Sequence, residues 1–464
     1  MIIEVPPSSV RRTVADTGST LRAQIESLAE GEDTCPILLT TTTYMGTLAA
    51  VRHCGRLGIP MYLADARSVT PSRWSRYTSR RLKSPPISRP TEFLNWLLEY
   101  GEKEPGKVLY PACDETAWLF ARHRQSLQRF YRLYSPSADV IARILNKKRL
   151  HEACADVGLE TPPTVYPENE ESLRLAAETF TYPALIKART QVFWLAKGSV
   201  VRSSQETIRD FRDFRDSQVN QDDSLTGDPF LRWPMIQAFL PEAAEGIYSI
   251  SGFIDDSGEQ FVCRAARKVL QYPRRVGIGL CFESAPVDPE LRDKIRALCR
   301  RTGYYGVFEA EFIQRNQDGR YLLIDFNPRY FNQMAFDIDR GMPLPEMTYR
   351  AALGQREALK RLVARAKSAD TAEPRAYCHR WKFRLMLSLL TALGRFEPEE
   401  AGSWRSWLDR FDRGRRLTDP VADSDDRMPS LIDRTGAFLT WLRYPRSFIK
   451  EMLGAWLLWV VTGS

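Results

Sequence analysis

The residues of this chain best suited to chemistry lie between Tyr305 and Met334, in YGVFEAEFIQRNQDGRYLLIDFNPRYFNQM. The stretch reads as two strands, Val307 to Gln314 and Tyr321 to Phe326, joined by a tight turn at Asn316-Gln317-Asp318-Gly319. Residues two apart in a strand share a face, so Glu309, Glu311 and Ile313 project one way. On the return strand Asp325 and Asn327 share a face, with Arg329 just beyond. Pairing the strands brings Glu311, Asp325 and Asn327 together as hard oxygen donors. Such a set suits Mg²⁺, which takes a carboxylate or two and completes its shell with water and substrate phosphates. Any one of these side chains alone reads as a solvated charge on a half-exposed hairpin. The whole set, closed by Asn327-Pro328-Arg329, reads as a metal site.

The chain around this hairpin has 464 residues, enough for two or three domains with buried cores. Its 43% hydrophobic and 27% charged content is that of a soluble globular protein. The formal charge of +8 fits anionic substrates, an acidic partner or an anionic surface, and selects none of them. There is no RNA-binding signature, zinc-finger spacing or lysine-rich tail, so nucleic acid is not an expected partner. The eight cysteines include no CxxC pair, and the N-terminus lacks a basic-then-apolar pattern, so free thiols in a reducing cytoplasm are expected. No apolar run reaches the roughly 18–20 residues of a spanning helix.

The elements that must position the hairpin follow in chain order. Residues 1–33 read as an extension with a helix from Ser19 to Glu30. Pro36 to Thr40 reads as a buried strand, followed by the loop Thr41-Thr42-Thr43-Tyr44-Met45-Gly46, a helix through Arg56 and a strand from Ile59 to Ala64. This order belongs to a doubly wound parallel sheet, where ligands sit at the carboxyl ends of strands. The Thr-rich loop can offer hydroxyls and N–H groups to a substrate, or simply cap the helix. A basic, Ser-rich stretch spans Ser68 to Pro90, and a helix from Thr91 to Tyr100 precedes a strand from Lys107 to Tyr110. That strand runs into Asp114-Glu115, an acidic pair suited either to meeting an amine or to favouring a helix dipole, the helix reading being preferred.

A helix is expected from Ala138 through Asn146-Lys147-Lys148 to Val157, then a strand Thr181 to Lys187 whose lysine stem crosses an apolar strand while its ammonium can reach a phosphate. A helix Ser204 to Ser217, a strand Met235 to Leu240 and a hairpin of Tyr248–Ile254 with Phe261–Val269 come next. A basic cluster follows, from which Lys268 and Arg275 are chosen to grip phosphates. A helix from Pro289 to Arg301 leads into the opening hairpin. Beyond Leu353 the chain reads as basic amphipathic helices, an acidic loop (Asp419 to Asp426) and an apolar Trp-bearing end, Phe448 to Val461. Such helices can lie on a membrane interface, but the preferred reading is that they cover a core or a dimer face.

EAEF followed about a dozen residues later by IDFNPR resembles the metal-binding end of ATP-grasp ligases. NKK, YPALIK and MIQAFL precede them in that superfamily's order, and the resemblance spans roughly Pro36 to Leu353. It implies an α/β ATP-grasp fold: an N-terminal doubly wound parallel-sheet domain (34–137) that helps bind substrate, an ATP-grasp domain (138–352) and a helical C-terminal extension (353–464). It implies that Glu311, Asp325 and Asn327 hold Mg²⁺, or Mn²⁺, against ATP phosphates, Asp325 standing where many relatives carry Glu. Lys147 and Lys187 would contact the phosphates. Gln237 stands where relatives often have Glu, and backbone groups near Ala238 and Leu240 would read adenine. Glu245 would take the ribose hydroxyls, or is an exposed loop acid. The loop from Arg189 to Ser199 keeps one glycine where relatives carry several, and Lys197 or the loop's own N–H groups can substitute.

The implied activity is ATP- and Mg²⁺-dependent activation of a small-molecule carboxylate as an acyl phosphate, then attack by an amine, with Arg329 steadying charge. Thiol or hydroxyl acceptors and simple phosphorylation belong to the same fold. The rival from another class is a non-catalytic nucleotide-binding protein docked to a membrane through its C-terminal helices.

Overall fold

The structure, a computed structural model, describes residues 34–192, 198–217, 233–244, 246–272, 278–369, 373–392, 394 and 397–443. The N-terminal extension, Phe193 to Lys197, Glu245, Arg275 and the Phe448–Val461 segment lie outside the described residues.

The run Ile37-Leu38-Leu39 is apolar on both sides, as the middle of a parallel sheet covered on two faces requires. It forms β1 (Ile37–Thr40), flanked by β2 (Met61–Asp65) and β4 (Val108–Leu109); β3 (Thr78–Lys83) and β5 (Arg132–Leu133) complete a parallel sheet of order β3-β2-β1-β4-β5. β3 lies inside the stretch read as basic and Ser-rich. Its TSRRLK sequence is mostly exposed on the sheet's edge, where cations discourage further pairing, so it carries no apolar alternation.

Two further sheets follow. A four-stranded sheet of order β6-β9-β7-β8 comprises β6 (Thr164–Val165), β7 (Ala184–Lys187), β8 (Ser199–Val201) and β9 (Met235–Ala238). A seven-stranded sheet of order β14-β13-β10-β11-β12-β15-β16 comprises β10 (Ile247–Ile254), β11 (Phe261–Tyr272), β12 (Ile278–Ala285), β13 (Gly306–Gln314), β14 (Tyr321–Asn327), β15 (Ala376–Cys378) and β16 (Leu417–Thr418). Helices Ala138–Leu145, Lys147–Asp156 and Pro289–Thr302 pack Ile141, Leu150 and Ile295 into one core with Ile250, Phe308 and Phe326 of the long sheet.

The helix expected from Ala138 to Val157 is two helices. Asn146 leaves helical geometry (φ −90°, ψ 113°), and its side chain accepts from the N–H groups of Lys148 (3.0 Å) and Arg149 (3.4 Å). An N-cap satisfies donors that a continuing helix would bond internally, so it marks a fresh start. The restart places Lys147 in the first turn, where it is buried.

The C-terminal extension is not purely helical. β15 and β16 lengthen the long sheet, and at three and two residues neither is long enough to show a period in the sequence. Helices Arg380–Ala392 and Pro398–Arg413 cover that end, packing Phe383, Met386, Leu387 and Leu408 against Leu270 and Leu280. A further helix, Met428–Arg443, was not foreseen. The acidic loop and the basic Ser-rich stretch find each other. Buried Asp426 accepts from Arg52 Nε (2.9 Å), Ser75 Oγ (2.6 Å) and the Arg76 N–H (2.9 Å), while Asp425 takes Arg76 Nη1 (2.8 Å). No helix among the described residues is long and apolar enough to cross a membrane.

Candidate functional site

The two strands pair as a hairpin with Glu309 opposite Asn327 and Glu311 opposite Asp325, and the register shifts just after Glu311, where Phe312 pairs with Leu323. Three lysines converge on it from three elements. Lys268 of β11 reaches Glu311 Oε1 at 2.8 Å. Lys147 pairs with Asp325 and donates to the Ile324 carbonyl at 3.2 Å. Lys187, at the end of β7, donates to Gln237 Oε1 at 3.1 Å, and Gln237 in turn donates to Thr164 Oγ1 at 3.1 Å. The small sheet thus faces its lysine toward the hairpin of the long one, near enough for Lys187 to feel the charges of Lys147, Asp325 and Glu311.

Burial and these charges set the protonation states. Burial pushes the Lys187 ammonium down to about 8, helped by Lys147 and opposed by Asp325 and Glu311. Burial acts the same way on Lys268, but Glu311 outweighs it and raises that pKa. Burial would raise Asp325, yet Lys147 holds it below the usual carboxylate value. Glu309, buried and beside Glu311, is pushed up to about 8; it accepts from Asn327 Nδ2 at 3.2 Å and from Gln333.

Arg329 ties the hairpin to the parallel sheet. Its Nε donates to Asp114 Oδ1 at 2.8 Å, its Nη1 to the Tyr330 carbonyl at 3.1 Å and its Nη2 to Asn327 Oδ1 at 2.9 Å. Burial disfavours the cation, but Asp114 more than compensates and raises its pKa. Asp114 is both the first residue of its helix and the counter-ion of Arg329, whereas the half-buried Glu115 side chain has no hydrogen bond or ion pair among the described residues. In the Thr-rich loop, Thr42 gives its N–H and hydroxyl to Asp65 Oδ2 (2.9 and 2.7 Å), so that hydroxyl serves the loop itself. Gly46 abuts the segment after Arg329: a Cβ there would lie 2.3 Å from the Phe331 carbonyl oxygen. The start of the first helix, Asp114 and Arg329 therefore lie close together at the carboxyl edge of the parallel sheet.

Among the described residues no group of three or more His, Cys, Asp or Glu side chains is placed to hold a metal ion on its own. The donor set fits a cation that arrives with most of its shell. Glu311 and Asp325 are adjacent and partly exposed, and Asn327 Oδ1 keeps a lone pair beyond the one given to Arg329. The two lysines now neutralise charge that such a cation would share.

The strand expected to read a base forms as β9, Met235–Ala238. The Ala238 N–H is used by the Pro163 carbonyl at 2.9 Å, while the Leu240 N–H makes no backbone hydrogen bond among the described residues. At Gly198, the one glycine between Arg189 and Ser199, a Cβ would meet the Ile186 carbonyl oxygen at 2.3 Å, so the chain at Gly198 lies close against β7. Sequence reasoning did not select Glu309, Gln333 or Gln191, the last of which donates to Asp325 Oδ2 at 3.3 Å. For Glu309 the signal was present, since it shares a strand face with Glu311.

Solved structures share this architecture. The chain is similar to the biotin carboxylase domain of Hydrogenobacter thermophilus 2-oxoglutarate carboxylase, in complex with MgADP, ADP and bicarbonate (17% identity over 70% of each chain, TM-score 0.55). It is similar to the biotin carboxylase–β,γ-ATP complex from Campylobacter jejuni (14% identity, 69% of this chain and 71% of that one, TM-score 0.55). It also resembles L-amino acid ligase from Bacillus licheniformis (12% identity, 69% and 76%, TM-score 0.54). No protein-family model matches the sequence, and no curated protein is similar to it by sequence. These likenesses establish the fold: the chain is built on the ATP-grasp fold, as its motifs implied.

Proposed function

We propose that the protein is an ATP- and Mg²⁺-dependent ligase that activates a carboxylate as an acyl phosphate and joins it to an amine. The observation that carries this reading is the convergence of Glu311, Asp325 and Asn327 with Lys147, Lys187 and Lys268 between two sheets of an ATP-grasp fold. One structural neighbour is an L-amino acid ligase, and another is a complex with MgADP.

ATP is a substrate here. Lys147 and Lys187 orient its phosphates, the strand at Gln237, Ala238 and Leu240 takes the base, and Glu245 takes the ribose. Glu311, Asp325 and Asn327 would hold Mg²⁺, or Mn²⁺, which when bound would supply neutralisation of phosphate charge. Lys268, with Arg275, steadies the acyl phosphate, and Arg329 holds Asn327 in place while its remaining N–H groups face the developing charge. The γ-phosphoryl group passes to a carboxylate oxygen and ADP departs. The amine nitrogen then bonds to the acyl carbon, phosphate leaves, and the amine loses a proton. Glu115, whose side chain has no hydrogen bond or ion pair among the described residues, would receive the amine. No side-chain nucleophile is needed: catalysis is positional and electrostatic. His151, beside Lys147, is pushed down to about 4 by burial and stays neutral.

The single glycine of the 189–199 loop favours a second reading, a nucleotide-binding protein without turnover. One experiment separates the two: ADP and phosphate release from Mg²⁺-ATP against pooled carboxylates and amines, with mass spectrometry of the products. Release that needs one acid–amine pair establishes the ligase and names its substrates. Tight ATP binding without release from any pool supports the second reading.

A further inference from the structure

The helix Met428–Arg443 has one side turned inward. Asp433 accepts from Trp381 Nε1 (2.7 Å) and pairs with His379 Nε2 and Lys382 Nζ (3.1 Å each), fastening the helix to the extension. On the opposite side Met428, Leu431, Leu439 and Leu442 are 41, 53, 61 and 55% exposed. Spacings of three, eleven and fourteen residues from Met428 put them in one stripe along the helix. A row of large apolar side chains facing water on a charged protein marks a surface that something covers.

Beside the stripe lie two adjoining cavities of about 520 and 440 Å³, both lined by Arg380 and Arg434; Arg384 lines the first, and Arg427 and Leu431 the second. Arg380 is matched by Asp412 and Asp419, each at 3.0 Å. Arg384 and Arg434 have no hydrogen bond or ion pair among the described residues, and Arg427 donates only to the Ser424 carbonyl at 3.3 Å. Guanidinium groups lining a common space repel one another unless an anion lies between them, and their planar forks match phosphate oxygens. On the helix Arg434 flanks the apolar stripe, and Arg427 precedes it.

We propose that this face of the C-terminal extension docks on an anionic lipid surface. The leucines and Met428 enter the headgroup boundary, and Arg384, Arg427 and Arg434 hold lipid phosphates. Apolar residues flanked by cations that reach past them are the composition of a helix lying in a membrane interface. Charge complementarity favours lipid over a second copy of the chain. The face presents free arginines, while the nearby carboxylates are spoken for: Asp419 by Arg380, Asp423 by Arg56, and Asp433 as above.

The test is co-sedimentation of the full chain with vesicles of phosphatidylcholine, with and without phosphatidylglycerol. Binding is expected only to the anionic vesicles, and to weaken steeply with added salt. The pair Arg384→Ala and Arg434→Ala should lower partitioning about twenty-fivefold, about fivefold per arginine. Leu431→Glu with Leu442→Glu should abolish binding while thermal unfolding stays unchanged, since all four positions face solvent. Absence of binding to anionic vesicles overturns the proposal, as does equal binding by both variants. A dimer by light scattering that Leu431→Glu converts to monomer, without vesicle binding, would give the face to a second copy instead.

Discussion

Glu311 faces Asp325 across the β13–β14 pair, and the two carboxylates are neutralised by lysines from different elements, Lys268 of β11 and Lys147 at a helix start. This pairing holds two like charges side by side, and on the proposed reading a cation that brings phosphate would bind the lone pairs these contacts leave. Asn327→Ala and Asp325→Asn should each lower ATP consumption about 100-fold or more, the scale of losing one preorganised electrostatic contact. ADP release at saturating Mg²⁺ measures it. Unchanged consumption in Asn327→Ala would remove the metal role from this residue.

On the proposed reading, Lys187 should make nucleotide binding pH-dependent. Its pKa in the folded protein is about 8, against an ordinary 10.5, because burial and Lys147 disfavour the charge. Between those values the unfolded chain binds more protons, so Lys187's contribution to stability rises as pH rises through that window. Phosphates reverse the preference: binding a polyanion restores the ammonium. ATP binding should therefore take up a proton above pH about 8 and weaken by up to tenfold for each further pH unit. Calorimetry in buffers of different ionisation heat detects the proton, and Lys187→Arg should flatten the profile. A flat profile in the unsubstituted protein would contradict the assignment.

The Asp114–Arg329 pair joins the parallel sheet to the hairpin at 2.8 Å, with the two side chains 11 and 14% exposed. Asp114→Ala leaves a buried guanidinium without its counter-ion, which costs about 3 kcal/mol or more. Urea unfolding should show that loss. Turnover should fall with it, because Arg329 positions the oxygen of Asn327. Asp114→Asn, which keeps an acceptor, should recover part of both.

A second distant pair holds the extension to the first helix. Asp426 is 1% exposed and accepts from Arg52, Ser75 and Arg76. Asp426→Ala should destabilise by about 3 kcal/mol, because it removes the nearer carboxylate of buried Arg52, leaving Asp423 at 3.9 Å, and the acceptor of Ser75 and Arg76. Limited proteolysis should then cut near residues 419–427, while ATP binding persists. Resistance equal to that of the unsubstituted chain would show that the clasp contributes little.

Much of the site was legible because strand alternation is a local rule. Once Val307–Gln314 and Tyr321–Phe326 are read as a hairpin, the faces of Glu309, Glu311, Asp325 and Asn327 follow from a period of two, and the register bears this out. Apolar strands such as Ile37–Leu39 and Ala184–Ile186 announce themselves for the same reason. β3 and β15 did not, one being a cationic edge and the other three residues long. The break at Asn146 turned on a single side chain capping the next helix.

By itself, then, the sequence determined the parallel sheet, the hairpin and the order of motifs, since each depends on residues within a few positions of one another. Only the tertiary structure decided which charges meet. Lys147 and Asp325 are 178 residues apart, Arg329 and Asp114 215, and Arg52 and Asp426 374. A charge in a sequence is compatible with water or with any opposite charge. Which partner it takes is settled by the packing of apolar faces, whose burial leaves each ion either solvated or facing a single neighbour.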